Sequence, residues 1–130
     1  MVGLDTNVLV RFLVRDDEAQ FQRAVRRVRR GVAGDGVFVS ELVLLETEWV
    51  LRSRYKLKKA ELLDTFSALL DARELTLENE PVVEEALFHW RDARAQFADC
   101  LIAAHHRAAG CTATVTFDED ALKVPGFVAA

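Results

Sequence analysis

The sequence has few cysteines, prolines and glycines. Cys100 and Cys111 are its two cysteines in 130 residues, which excludes a disulfide scaffold and a cysteine-based metal cluster. Both thiols are expected to be free and buried, as small apolar residues of a reducing compartment. Six glycines and two prolines exclude a collagen-like chain or a low-complexity linker. No apolar run reaches the roughly 18 residues of a membrane-spanning helix, and no basic segment precedes a cleavable apolar stretch. A soluble cytoplasmic protein is expected. No glycine-rich segment ends in Lys-Ser or Lys-Thr, so there is no ATP-binding loop of that kind. The Asp-x-Asp pair of an aspartyl-phosphate phosphatase is missing from Asp5-Thr6-Asn7. His105 and His106 are adjacent, not one helical turn apart, and with His89 they form no metal-binding histidine pair. Basic residues are not in excess. Lys and Arg number 17 against 21 Asp and Glu, a formal net charge of -4. That excludes a basic coat over the whole surface and leaves room for a local basic patch.

What is present suits one domain over residues 1–130, with 51% hydrophobic residues to build its core. Residues 1–65 carry a net charge of +2 and residues 66–130 one of -6. A first strand over Val2 to Leu4 is expected to end near Asp5. The Asp5-Thr6-Asn7 turn then leads into an apolar run whose β-branched residues weaken its helix propensity. Asp16 or Asp17 caps a helix with Phe21, Ala24 or Val25, and Val28 inward, stopped by Gly31, Gly34 and Gly36. Val37 to Val39 reads as a second buried strand. Ser40 caps a helix to about Arg52, with Leu42, Leu45 and Trp49 on its apolar face. A helix from about Lys58 to Leu70 buries Leu62, Phe66 and Leu69. Leu75 to Leu77 is strand-like. Asn79 starts a helix with Pro81 in its first turn and Val83, Leu87 and Trp90 inward. Gln96 to Ala109 forms another, ended by Gly110. Cys111 to Phe117 and Phe127-Val128 are the last strands. Trp49 and Trp90 read as packing anchors.

Helices alternating with short apolar strands define an α/β class with a parallel sheet covered on both sides. Ligands of such sheets gather beyond the C-terminal ends of the strands. Asp5 ends the first strand, Glu46 lies in the helix after the second, Asp99 begins the helix before a late strand, and Asp118 ends that strand. Gathered carboxylates repel one another, and a divalent cation removes the conflict. An oxygen-only donor set suits Mg²⁺ or Mn²⁺ better than zinc. Such a site activates water and stabilises charge on a phosphodiester. Thr6 and Thr116 can hydrogen-bond the carboxylates or place a phosphate, and Asn7 can orient the loop or a water.

Four segments carry a resemblance. Asp5-Thr6-Asn7-Val8-Leu9-Val10-Arg11-Phe12-Leu13 resembles the opening motif of PIN-domain ribonucleases, especially the VapC toxins of bacterial toxin–antitoxin pairs. The stretch from Val39-Ser40 through Leu44-Leu45-Glu46-Thr47-Glu48-Trp49 to Tyr55 is similar to that group as well. So are Phe97-Ala98-Asp99-Cys100-Leu101-Ile102-Ala103-Ala104 and Thr116-Phe117-Asp118-Glu119-Asp120. The likeness covers nearly the whole chain. Two departures stand out: Gln96 where many relatives have an acidic residue, and Ala121 where an aromatic is common.

The resemblance implies a three-layer PIN-like α/β/α fold with a central parallel sheet. It also implies metal-dependent hydrolysis of RNA that leaves 5′-phosphate and 3′-hydroxyl ends. Asp5, Glu46, Asp99 and Asp118 match the family's acidic site, with Asp5 and Asp99 the foremost metal ligands. Glu46 and Asp118 bind metal or support it, Asp120 is the alternative or additional fourth carboxylate, and Glu48 ranks behind Glu46. A VapB-like antitoxin, an RNA substrate, a homodimer and a toxin–antitoxin hetero-oligomer are the implied partners. Arg52, Arg54 and Lys56 follow the Glu46 helix and are candidates for substrate phosphates. The arginines of residues 23–30 are either RNA contacts or a solvated helix face, and Arg11 and Arg15 are candidates for the antitoxin interface. The rival accounts are an RNA-processing nuclease that is no toxin and an inactive RNA- or protein-binding PIN module.

Overall fold

The computed structural model describes residues 1–130, and its contacts divide the chain into two compact units, Met1–Glu78 and Asn79–Ala130. The first unit runs β1 (Val2–Gly3), α1 (Thr6–Leu13), α2 (Glu18–Ala33), β2 (Val37–Val39), α3 (Glu41–Ser53), α4 (Lys59–Asp71) and β3 (Leu75–Leu77). Its sheet has the order β1-β2-β3, all parallel, with Val2 opposite Val37 and Val37 opposite Leu75. Parallel neighbours need long crossovers, and the two helices between each pair of strands supply them. Val37, Val39, Leu75 and Leu77 are buried while Thr76 between the last two is exposed, the period-two pattern of a strand. Leu9, Leu44, Leu51, Leu62 and Phe66 have no exposed surface and form the centre of this unit.

The second unit runs α5 (Glu80–Trp90), α6 (Phe97–Ala108), β4 (Thr114–Thr116), a 3₁₀ turn (Ala121–Lys123) and β5 (Phe127–Ala129). β4 and β5 form a parallel pair with Thr114 opposite Phe127. Trp90 and Phe97 meet with ring centroids 5.3 Å apart, and Ala86, Cys100, Ala103 and Ala104 are among the buried small residues of α5 and α6. Arg107 of α6 pairs with Glu85 of α5 and donates to the Pro125 carbonyl at 2.9 Å, tying helix α6 to the loop before β5. The α/β class is thus present in both units, with every strand pair parallel. No helix is long and apolar enough to cross a membrane.

Helix α2 runs to Ala33 with Gly34, one of the three glycines expected to stop it, as its C-cap, and three other sequence expectations need correction. Gly31 is buried against the sheet, where an added Cβ would lie 2.5 Å from Val37 Cγ2, so this glycine serves close packing, not termination. The buried face of α3 is Glu41, Leu44, Thr47, Glu48 and Leu51, and Leu42 and Trp49 are exposed. Leu, Val and Trp are spread all round this helix, so apolar content could not set its rotation. Trp49 is therefore no packing anchor, while Trp90 is one. Cys100 is buried as expected, but Cys111 is exposed because it lies in the turn before β4, and both thiols are free. The strand expected over Cys111 to Phe117 is confined to Thr114–Thr116.

Candidate active site

In the first unit, Asp5 follows β1 directly and is the N-cap of α1. Its extended backbone lets Oδ1 accept the Val8 N–H at 3.0 Å. Ser40 does the same for α3 after β2, accepting the Val43 N–H at 3.1 Å. Each of these short polar side chains satisfies a helix N–H that has no intrahelical partner. Because β1 and β2 are parallel neighbours, α1 and α3 both start at the same edge of the sheet, and the two helices pack together. That packing brings the buried Thr6 hydroxyl to Glu46, where Thr6 Oγ1 donates to Glu46 Oε1. Thr6 and Glu46 therefore meet beyond the C-terminal ends of β1 and β2, with Asp5 next to Thr6 in the chain. Asn7 is exposed beside them.

In the second unit, Asp99 is the third residue of α6, half-buried, and its Oδ2 accepts the Gln96 N–H at 3.1 Å in a capping box. The contact uses the backbone N–H of Gln96 and does not depend on its side chain. Asp118 lies just beyond β4. Its Oδ1 accepts from the N–H groups of Asp120 at 2.8 Å and Ala121 at 3.3 Å, and its own N–H donates to Thr116 Oγ1 at 3.0 Å. Thr116 and Asp118 together build the turn that starts the 3₁₀ segment. Asp120 is exposed, and its backbone rather than its carboxylate enters this turn.

The four carboxylates share one feature. Each commits one oxygen to a hydrogen bond that fixes its direction, and none is paired with a Lys or Arg. Within neither unit do three His, Cys, Asp or Glu side chains gather as a metal cage. Mg²⁺ does not demand one, since it keeps several waters and takes one or two carboxylates. Asp5 and Glu46 in the first unit, and Asp99 and Asp118 in the second, are oriented, uncompensated oxygen donors of the kind such a cation takes.

Glu48, ranked behind Glu46 from the sequence, has a different role. It is 2% exposed and binds Arg52 Nε at 2.8 Å, a buried charge neutralised one turn away. Arg52, a candidate for substrate phosphates, is thereby committed to Glu48. Arg54 and Lys56 are exposed. Arg11 binds Asp16 at 2.9 Å and the Tyr55 hydroxyl at 3.1 Å. Partial burial works to raise the Asp16 carboxyl, but hydrogen bonds from Arg11 and Tyr55 outweigh it and hold it below its ordinary value. Arg15 binds Glu18 through both forks of its guanidinium and lies over the Phe21 ring.

The arrangement of helix-capping carboxylates after parallel strands places the chain in a class: a family model of the PIN domain matches residues 2–127, and the chain belongs to that family. Among curated proteins it is similar to the VapC ribonuclease of Aquifex aeolicus, with 26% identity over 119 residues covering 88% of this chain and 84% of that protein. Among solved structures it is similar to Mycobacterium tuberculosis VapC20, described as a toxin cleaving the sarcin–ricin loop. That likeness has a TM-score of 0.44 and 20% identity, covering 98% of this chain and 97% of the other.

Proposed function

We propose that this single PIN domain is a divalent-metal-dependent endoribonuclease and the toxin of a toxin–antitoxin pair. The observation that carries the reading is the Asp5–Thr6–Glu46 constellation at the edge of a parallel sheet, in a chain of the PIN family. Similarity to a VapC ribonuclease supports RNA as the substrate.

Mg²⁺ or Mn²⁺, when bound, would supply Lewis-acid stabilisation of a phosphodiester and a water of lowered pKa. Asp5 and Asp99 would be the principal ligands, and Asp118 would bind or support the metal. Glu46 would bind the metal or orient the attacking water, and Thr6 holds Glu46 in place through its hydroxyl. Water attacks phosphorus, the bond to the 3′ oxygen breaks, and that oxygen takes a proton to leave 3′-hydroxyl and 5′-phosphate ends. Cutting a structured RNA of the translation machinery would stop growth. A VapB-like antitoxin would neutralise the activity by placing an arginine against the carboxylates. A homodimer, assembled with antitoxin into a hetero-oligomer in the cytoplasm, completes the proposal.

The test is incubation of antitoxin-free protein with total cellular RNA in EDTA, Mg²⁺ or Mn²⁺, beside Asp5→Asn, with the new ends mapped. Discrete metal-dependent cuts lost in the variant are the expected result. Folded wild-type protein that leaves a broad RNA pool intact in both metals overturns the reading.

A further inference from the structure

Between α1 and α2 lies an open groove of about 330 Å³, walled by Asn7, Val8 and Arg11 on one side and Gln20, Arg23 and Arg27 on the other. Its Asn7–Val8 end adjoins Asp5 and Thr6 in the chain, and the Val8 N–H donates to Asp5. No acidic residue lines it. Arg11 is already neutralised by Asp16. Arg23 and Arg27 are exposed and paired with no carboxylate. They stand one helical turn apart on one face of α2, a repulsive arrangement in the absence of a counter-charge. Arg26 and Arg30 of the same helix are also exposed but line neither this groove nor the wider one on the Phe21 side of α2.

We infer that this groove carries the RNA strand away from Asp5, with Arg23 and Arg27 contacting successive phosphates and Asn7 and Gln20 hydrogen-bonding the sugar–phosphate backbone between them. The inference rests on the nuclease reading and deepens it by assigning the substrate track. Two arginines about 6 Å apart along the helix axis match a repeating anion better than a single one. The track takes two of the arginines of residues 23–30 that the sequence offered as RNA contacts, rather than Arg52, Arg54 and Lys56, of which Arg52 is bound by Glu48.

The experiment measures binding of a labelled single-stranded RNA of defined sequence in EDTA, across a series of salt concentrations, and metal-dependent cutting of total RNA by the same preparations. Wild type is compared with R23Q/R27Q and with R26Q/R30Q, which removes the same charge from the same helix. Circular dichroism confirms that each variant is folded. Losing two phosphate contacts should flatten the slope of log affinity against log salt by about 1.4 for a single strand. R23Q/R27Q is expected to show that change with an affinity loss of roughly tenfold at low salt, and R26Q/R30Q less than half of either. Equal effects of the two pairs, or none, overturn the track, as does a wild type that binds no RNA. A polyglutamate probe that loses as much affinity as RNA in R23Q/R27Q also overturns it, by making the groove an acidic-protein site. Groove-dependent RNA binding without cutting would sink the nuclease reading instead. Cutting with an unaffected R23Q/R27Q would sink only the track.

Discussion

In the first unit, Glu46 is held by Thr6, 40 residues earlier in the chain, through the packing of α1 on α3. In the second, Asp99 and Asp118 bind backbone N–H groups no more than three residues away. Glu46 and the other three carboxylates are thus oriented by different means, since Asp5 of the first unit also caps its own turn. A local cap forms wherever its own turn forms. A tertiary hydrogen bond forms only if two helices keep their rotation and register. The first arrangement is therefore the one that a distant packing defect can disturb, and the second is nearly independent of the core around it.

The largest expected effect comes from the carboxylates themselves. Asn is as good an N-cap as Asp, so Asp5→Asn spares α1 while removing a charge from the site. RNA cutting should fall by more than about 100-fold, beyond the range typical of residues that only support a metal ligand. Asp99→Asn should match it, and a rate within tenfold of wild type for either variant would remove that residue from the proposed site.

Thr6→Val comes next and separates the two modes of support. It deletes the hydroxyl that fixes Glu46 and should cost about 10–100-fold in activity or metal affinity. Thr6→Ser should restore most of the loss. Thr116→Val removes only a bond within its own turn and should cost less than Thr6→Val. Equal losses would mean that the turn around Asp118 is as sensitive as the α1–α3 contact.

A smaller effect is expected on stability. Ser40→Ala removes the α3 cap and should cost about 1 kcal/mol in urea unfolding. Gln96→Ala leaves the Asp99 arm of its capping box in place and should cost less. If Gln96→Ala proves the more damaging, α6 depends on its N-terminal residue more than α3 does.

The smallest expected effect is an acid-side one, confined to the exposed start of α2. Hydrogen bonding from Arg15, then from Gln22, lowers the Glu18 carboxyl from an ordinary value of 4.5 to about 2. A carboxyl depressed in the folded state stabilises above its unfolded value and loses that contribution as the pH falls through the folded one. Glu18→Gln should therefore be less stable than wild type at pH 7, with the difference vanishing between about pH 4.5 and 2. Melting curves across that range measure it, and a difference that persists at pH 2 would assign the effect to something other than this carboxyl.

Much of the fold is legible in the residues. Asp17, Ser40 and Asn79 mark helix starts, Gly110 follows the end of α6 with a φ of +95°, and Leu62, Phe66 and Leu69 keep the expected inward face. Asp5 stands out because it opens the Asp5-Thr6-Asn7 turn just past a short apolar strand, where it caps α1. Glu48 and Arg52 were less legible. Their spacing permits an ion pair on any exposed helix, and nothing in the neighbouring residues marks Glu48 as the inward one.

By itself the sequence determined the alternation of helices and parallel strands, the helix starts, and the acidic positions beyond the strand ends. These depend on short-range forces: backbone hydrogen bonding, caps within three residues, and apolar periodicity. Only the tertiary structure decided that Trp49 faces outward, that Thr6 reaches Glu46, that Arg52 is tied to Glu48, and that Arg23 and Arg27 rather than Arg26 and Arg30 line a groove. Each of these depends on how a helix is rotated against its neighbours. That rotation is set by the best burial of the whole apolar surface, a sum over contacts distant in the chain.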